Sequence, residues 1–209
     1  MRRYRYVLKR MFDDVLIAGR AFSWLDVGAG FGEFVEAVRA VAPAGSVCEG
    51  LEPMLPKARV AQSRGLPIRS GYLSEVTQRY DFVSLIDVFS HIPDFRAFLE
   101  EIKGVLSEGG ELLIKTGNSA EIGERRQVPD SLNLPDHLVF AGERHVRRFL
   151  EEAGFVIVSV QRHRIDGIAH SARNLVKWVA RRPVVLGMPY TSPVRTIYMR
   201  ARRVSPTAT

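Results

Sequence analysis

Cysteine is nearly absent from this sequence: Cys48 stands alone among 209 residues. A single thiol cannot close a disulfide within the chain, and it cannot build a Cys-based zinc site. No metal centre is expected. Also missing is any run of the roughly 18 apolar residues that a bilayer span requires. The closest approach near the N-terminus, Val15 to Trp24, is broken by Gly19 and Arg20, so the basic start followed by this segment does not read as a signal peptide. The expected location is the cytoplasm. Repeats and low-complexity tracts are lacking too. What remains, 46% hydrophobic and 25% charged residues, is an ordinary globular composition. The length suits one domain over 1–209 and leaves too little chain for a separate substrate domain.

Acidic residues are scarce at both ends. Residues 1–10 carry a net +5, residues 11–143 a net −8 and residues 144–209 a net +10, which together give the formal +7. A uniformly basic nucleic-acid binder is excluded by that acidic middle.

What is present is an alternation of short apolar runs and helical patterns. Strands are expected at Phe22 to Val27, Ser46 to Leu51, Leu66 to Arg69, Tyr80 to Ile86, Glu111 to Lys115, Phe155 to Val160 and Thr196 to Met199. The run YDFVSLI is continuously apolar, as a buried parallel strand should be. Between the strands lie helical patterns: Phe34 to Val41, Pro53 to Arg64, a helix capped by Asp94, and one from Glu143 stopped by Gly154. Such alternation predicts an α/β fold with a mostly parallel seven-stranded sheet and helices on both faces. The final strand follows Pro193 without a regular crossover helix, so it is expected to insert antiparallel.

Between the first strand and the first helix sits Leu25-Asp26-Val27-Gly28-Ala29-Gly30-Phe31-Gly32. Glycines allow a sharp turn and close approach of a ligand to the backbone, and the helix start adds free N–H groups. Dinucleotide folds space their glycines G-x-G-x-x-G; here the spacing is G-x-G-x-G, with Asp26 two residues ahead. An acid there is awkward for a pyrophosphate and suits a ligand carrying an ammonium group. The competing reading is a glycine turn that binds nothing. With its LDVGAGFGEFVEAV motif, the chain resembles the class I S-adenosylmethionine-dependent methyltransferases, over residues 22–163. The resemblance implies a Rossmann-like methyltransferase fold, S-adenosyl-L-methionine as cofactor, and cofactor contacts from Asp26, Gly28, Ala29, Gly30 and Gly32. It places Glu52, after the second strand, on the ribose hydroxyls. In that family an acid often follows the third strand to meet the adenine amine. This sequence has Ser70-Gly71-Tyr72-Leu73 instead, which leaves Tyr72 and Leu73 to pack on the adenine, with Pro53 and Met54 toward its other face.

The block Tyr80 to Lys115 resembles the small-molecule branch of the same family, in the pattern Asp87-Val88 through His91-Ile92-Pro93-Asp94. Asp87 and Val88 are expected to line the cofactor pocket. A second similar block, PDHLVFAGERHVRRFLEEAGF, carries His137. Methyl transfer relies mainly on positioning, and a base is needed when the acceptor is a weak nucleophile such as a hydroxyl. His91 and His137, both in loops at the expected carboxyl edge of the sheet, are the candidate bases; the plain alternative for each is a loop histidine bonded to backbone. His145 reads as solvated and His163 as structural or surface. Asn118 is placed beside the acceptor by position alone.

Residues 1–21 read as an N-terminal cap segment and 164–195 as an insertion before the last strand. Within the latter, Ile168, Ala172, Leu175, Val176 and Val179 share one helical face. A lid, a surface helix and an anionic membrane surface compete there. The expected activity is methyl transfer to a small molecule, a hydroxyl on a saccharide or secondary metabolite, and the basic last third favours an anionic acceptor. An RNA methyltransferase and a non-catalytic cofactor-binding protein are the alternatives. Against nucleic acid, Asp87-Val88-Phe89-Ser90 follows the fourth strand in place of the Asn/Asp-Pro-Pro-Tyr/Phe type of motif.

Overall fold

In the computed structural model, residues 2–118, 139, 142–164, 176, 179–180 and 194–204 are described. Seven strands form one sheet: β1 (Ser23–Val27), β2 (Val47–Glu52), β3 (Ile68–Ser70), β4 (Tyr80–Ile86), β5 (Leu106–Gly117), β6 (Phe155–Arg164) and β7 (Val194–Arg203). Their order is β3-β2-β1-β4-β5-β7-β6. β7 pairs antiparallel with both β5 and β6, and the remaining pairs are parallel. The expected mixed sheet with an antiparallel last strand is what forms.

Helices α3 (Glu33–Arg39), α4 (Leu55–Ser63), α5 (Phe95–Val105) and α6 (Glu143–Glu152) fall where the periodicity puts them. Asp94 caps α5, its Oδ1 accepting from the Ala97 N–H at 3.0 Å, a contact worth about 1 kcal/mol. On one face of the sheet α5 and α6 bury Leu99, Ile102, Val146 and Leu150 against Leu25, Val83, Leu112 and Ile114. Ala58 and Ala61 of α4 pack with Ala29, Val35, Leu66 and Ile68.

The other face holds what the sequence reading left as a cap segment. It forms α1 (Arg2–Met11) and α2 (Asp13–Ala18). Val7, Leu8, Met11 and Phe12 bury against Trp24, Phe34, Phe82 and Tyr198. The helix therefore has an apolar stripe facing the sheet and a solvent face of Arg2, Arg3, Arg5, Tyr6, Lys9 and Arg10.

Three strands are longer than expected. β5 starts at Leu106, and an irregularity between Tyr80 and Phe82 in its β4 partner absorbs Ser107–Gly110. β6 and β7 each run ten residues. The expected amphipathic face over 168–182 lies outside the described residues apart from Val176, Val179 and Ala180. Among the described residues no helix is long and apolar enough to cross a membrane.

Candidate functional site

The strand order reverses direction on either side of β1, so the β1–α3 loop opens a crevice at the carboxyl edge of the sheet. Gly28, Gly30 and Gly32 all have positive φ (72°, 56° and 85°), a region costly for other residues. Two of them are glycine for a second reason. A Cβ on Gly28 would stand 2.5 Å from Val88 Cγ2, and one on Gly32 would stand 2.6 Å from Leu66 Cδ1. Around Gly30 a Cβ would meet nothing within 4 Å, since that position faces open space. The loop is pinned to β2 by the Gly28 and Ala29 N–H groups, which donate to the Leu51 carbonyl at 2.8 and 3.0 Å.

Glu52 ends β2 and is buried, 4% exposed. Its Oε2 accepts from the Gly30 N–H at 2.7 Å and its Oε1 from the Met54 N–H at 2.9 Å. Each oxygen keeps a further lone pair, as a vicinal diol would need. The Gly28 contact with Val88 is set up from β4. Asp87 adopts φ 60°, the only non-glycine residue with positive φ among the described ones. Its N–H donates to the Lys115 carbonyl at 3.0 Å, and its carboxylate pairs with the Lys115 ammonium. The short polar side chain of Asp tolerates this conformation better than a branched one would.

These strand ends enclose a cavity of about 740 Å³. Of the residues expected to hold a cofactor, Gly28, Gly30, Glu52, Pro53, Met54, Tyr72, Leu73, Asp87 and Val88 line it, as does His91. Three do not. Gly32 is spent on the helix start, Ala29 packs against α4, and Asp26 is buried at 1% exposure. His137 lies outside the described residues. Asn118 has a structural role: its Oδ1 accepts from the Glu143 N–H at 2.9 Å and so closes the start of α6. His145 is exposed, and the His163 ring meets Tyr198 edge-on at 5.2 Å. The sequence reading missed Lys57, Gly71, Ile92 and Phe98 in the cavity wall. The signal at Lys57 is its place one turn beyond Pro53; Phe98 obeys the same helical spacing as the core and carries no separate signal. Among the described residues no cluster of His, Cys, Asp or Glu is arranged to hold a metal ion.

Asp26 titrates far from the ordinary range. Burial, reinforced by Glu52 and Glu33, pushes its carboxyl up to about 7, while the hydrogen bond from Ser84 works against the shift. Ser84 Oγ donates to Asp26 Oδ1 at 2.6 Å and accepts from Trp24 Nε1 at 2.9 Å. One residue pair thus carries the polar chain from the cofactor edge into the aromatic core.

The model of a methyltransferase-domain family matches residues 1–160. The chain belongs to that family. The fold agrees with solved structures of low sequence identity. One is a putative sarcosine dimethylglycine methyltransferase from Galdieria sulphuraria, 18% identical, with a TM-score of 0.66 over 95% of this chain and 86% of that one. Another is an S-adenosylmethionine-dependent methyltransferase from Mesorhizobium loti, 16% identical, TM-score 0.62, covering 92% and 98%. A possible histamine N-methyltransferase from Thermotoga maritima is 16% identical, TM-score 0.61, covering 96% and 99%. No curated protein matches the sequence.

This methyltransferase uses S-adenosylmethionine, and the cavity fits it. Gly30 leaves space where any side chain would stand. The Glu52 carboxylate offers acceptors for a diol, and Leu51, Met54, Tyr72, Leu73 and Val88 supply apolar walls for a purine. Bound there, the cofactor supplies a methyl carbon already activated by its sulfonium.

Proposed function

We propose that this enzyme methylates a hydroxyl of a small-molecule acceptor, a saccharide or related metabolite, with His91 as general base. The observation that carries the reading is His91 in the wall of the same cavity as Glu52 and the glycine loop, next to Ile92 and Phe98. A cavity of about 740 Å³ is on the scale of small-molecule sites, within the usual range of about 300–1,000 Å³.

In this reading Glu52 binds the ribose hydroxyls, and Gly28 and Gly30 let the amino-acid end approach the backbone of the loop. Tyr72, Leu73, Pro53 and Met54 sandwich the adenine. Asp87 fixes Val88 against Gly28 and so sets the depth of the pocket. His91 accepts the acceptor's proton as the oxygen attacks. His137, which precedes α6 in the sequence, is the second candidate for that role.

Turnover of a panel of hydroxylated small molecules, an RNA oligonucleotide and amines tests the assignment. His91→Gln should lower kcat on the best hydroxyl acceptor by at least about tenfold, general-base catalysis being worth about 10²–10⁴. Cofactor affinity by calorimetry should change little. If neither His91→Gln nor His137→Gln lowers kcat tenfold, histidine base catalysis is wrong. Methyl transfer to RNA alone, or cofactor binding with no transfer to any acceptor, would overturn the small-molecule reading.

A further inference from the structure

The amino-acid end of S-adenosylmethionine is a zwitterion, an ammonium and a carboxylate on one carbon. Taken out of water, the first needs acceptors and the second needs donors. The glycine loop has few donors left to give. The Gly28 and Ala29 N–H groups bond the Leu51 carbonyl, the Gly30 N–H bonds Glu52, and the Gly32 N–H bonds the Ala29 carbonyl. Lys57, the cation in the cavity wall, belongs to the purine end, where its N–H bonds the Met54 carbonyl.

A donor set stands instead where the first turn of α1 meets the ends of β4 and β5. Asp87, in the cavity wall, pairs with the Lys115 ammonium. The Lys115 side chain is 13% exposed and that of Asp87 57% exposed, so the pair opens toward solvent through its carboxylate. From α1 the Tyr4 ring covers the pair, with Lys115 Nζ 5.8 Å from the ring centroid. Tyr4 in turn meets Phe34 edge-on at 5.3 Å. Phe34 is the second residue of α3, directly behind the glycine loop. One aromatic residue therefore ties the N-terminal helix both to the loop and to the ion pair. Burial, with Asp87, Asp26 and Glu33, raises the Tyr4 hydroxyl above its ordinary range, and Arg3 works against them. Near neutral pH that hydroxyl keeps its proton and is a hydrogen-bond donor.

Sheet order fixes the direction in which the cofactor runs. Tyr72 and Leu73 follow β3 and Glu52 ends β2, so a purine and a ribose seated on them send the amino-acid end past β1 toward β4 and β5. That is where Asp87, Lys115 and Tyr4 converge.

We infer that Asp87 and Lys115 seat the amino-acid end of the cofactor, Asp87 accepting from its ammonium and Lys115 donating to its carboxylate, with the Tyr4 hydroxyl of α1 as a second donor. Each member of the ion pair then meets an opposite charge on the ligand, and no charge is left unpaired. The inference rests on the reading above only for the ribose at Glu52, and goes beyond it by giving β5 and the N-terminal helix a part in binding.

Titration calorimetry of the full chain with S-adenosylmethionine and with 5′-methylthioadenosine tests this. The second ligand keeps the purine, the ribose and the sulfur but lacks the amino-acid end. Lys115→Met should weaken S-adenosylmethionine at least about tenfold and Tyr4→Phe at least about threefold, as loss of a hydrogen bond to a charged group does, with 5′-methylthioadenosine held within about twofold of the parent. Lys115→Arg keeps the charge and should bind S-adenosylmethionine within about threefold of the parent. Tyr4→Phe keeps the ring against Phe34, so it removes the hydroxyl alone. Unchanged S-adenosylmethionine affinity in either Lys115→Met or Tyr4→Phe, or equal weakening of both ligands, would overturn the inference. Glu52→Gln separates it from the reading beneath, because that variant should weaken both ligands. If Glu52→Gln weakens neither while Lys115→Met weakens S-adenosylmethionine alone, the ribose assignment falls and the amino-acid seat stands. If Glu52→Gln weakens both and Lys115→Met weakens neither, the seat falls and the ribose assignment stands.

Discussion

Asp26 shows how one residue can couple the cofactor loop to stability. Its carboxyl is buried, accepts a hydrogen bond from Ser84 and is raised from the ordinary 3.8 to about 7. In the unfolded chain it loses its proton near the ordinary value, whereas in the folded chain it keeps it until about pH 7. The stability that comes from holding the proton is therefore complete below the ordinary pKa. It declines as pH rises and is gone above about 7. Three or so pKa steps correspond to about 4 kcal/mol. Asp26→Asn, neutral at every pH, should remove this dependence. Denaturant unfolding at pH 4 through 8 should show the parent losing about 3–4 kcal/mol relative to the variant across that window. Parallel curves would mean that the buried acid is compensated elsewhere.

At the scale of elements, the N-terminal helices depend on a buried ion-pair cluster. Arg200 of β7 is 3% exposed. Its guanidinium bonds Glu111 of β5, the Asp14 carboxylate at the start of α2 and the Met11 carbonyl at the end of α1, and it lies 4.5 Å over the Phe12 ring. Asp14 is accordingly held below the ordinary carboxylate range, chiefly by the hydrogen bond from Arg200. Arg200→Met would leave Glu111 buried with Arg202 as its remaining partner. Breaking a buried pair on one side costs about 3–5 kcal/mol, and with Arg202 in place the low end, about 3 kcal/mol, is expected. Arg200→Met/Glu111→Leu should recover much of that loss in urea unfolding; a double variant as unstable as the single one would show that Arg200 acts through Asp14 and Met11 instead. None of this was legible in the sequence. The strands were, because YDFVSLI and its neighbours are unbroken apolar runs, and so was the Asp94 cap. The stripe Val7, Leu8, Met11 and Phe12 was hidden because five cations share the same ten residues. The polar face of β6 was hidden because the shift after Ile157 breaks the period of two. In the cavity wall, Gly28 and Gly30 were readable because their backbone conformation demands glycine, and Glu52 because an acid that ends the second strand stands at the carboxyl edge of the sheet. Lys57 and Phe98 were not, since a helix surface admits many.

On the scale of the whole molecule, the cavity is assembled from chain ends that are distant in sequence. The β1–α3 loop, the end of β2 at Glu52, the stretch Gly71 to Leu73 after β3, and Asp87 to His91 after β4 each contribute one wall. A ligand that touches all four joins the parallel half of the sheet across its switch point. Such a ligand binds only the folded chain, so its binding energy is added to global stability. At 100 times its dissociation constant S-adenosylmethionine should stabilise the fold by about 2.7 kcal/mol, which for a chain of this size raises Tm by about 5–10 °C. Glu52→Gln keeps an acceptor for only one of the Gly30 and Met54 N–H groups, turns an NH2 toward the other, and loses the carboxylate's second acceptor. It should bind the cofactor about tenfold more weakly and give up about 1.4 kcal/mol of the ligand-induced stabilisation at the same concentration. Thermal unfolding with and without cofactor checks both numbers. If Glu52→Gln shows the full upward shift, the ribose is not held by Glu52, and the diol must be sought elsewhere along the four strand ends.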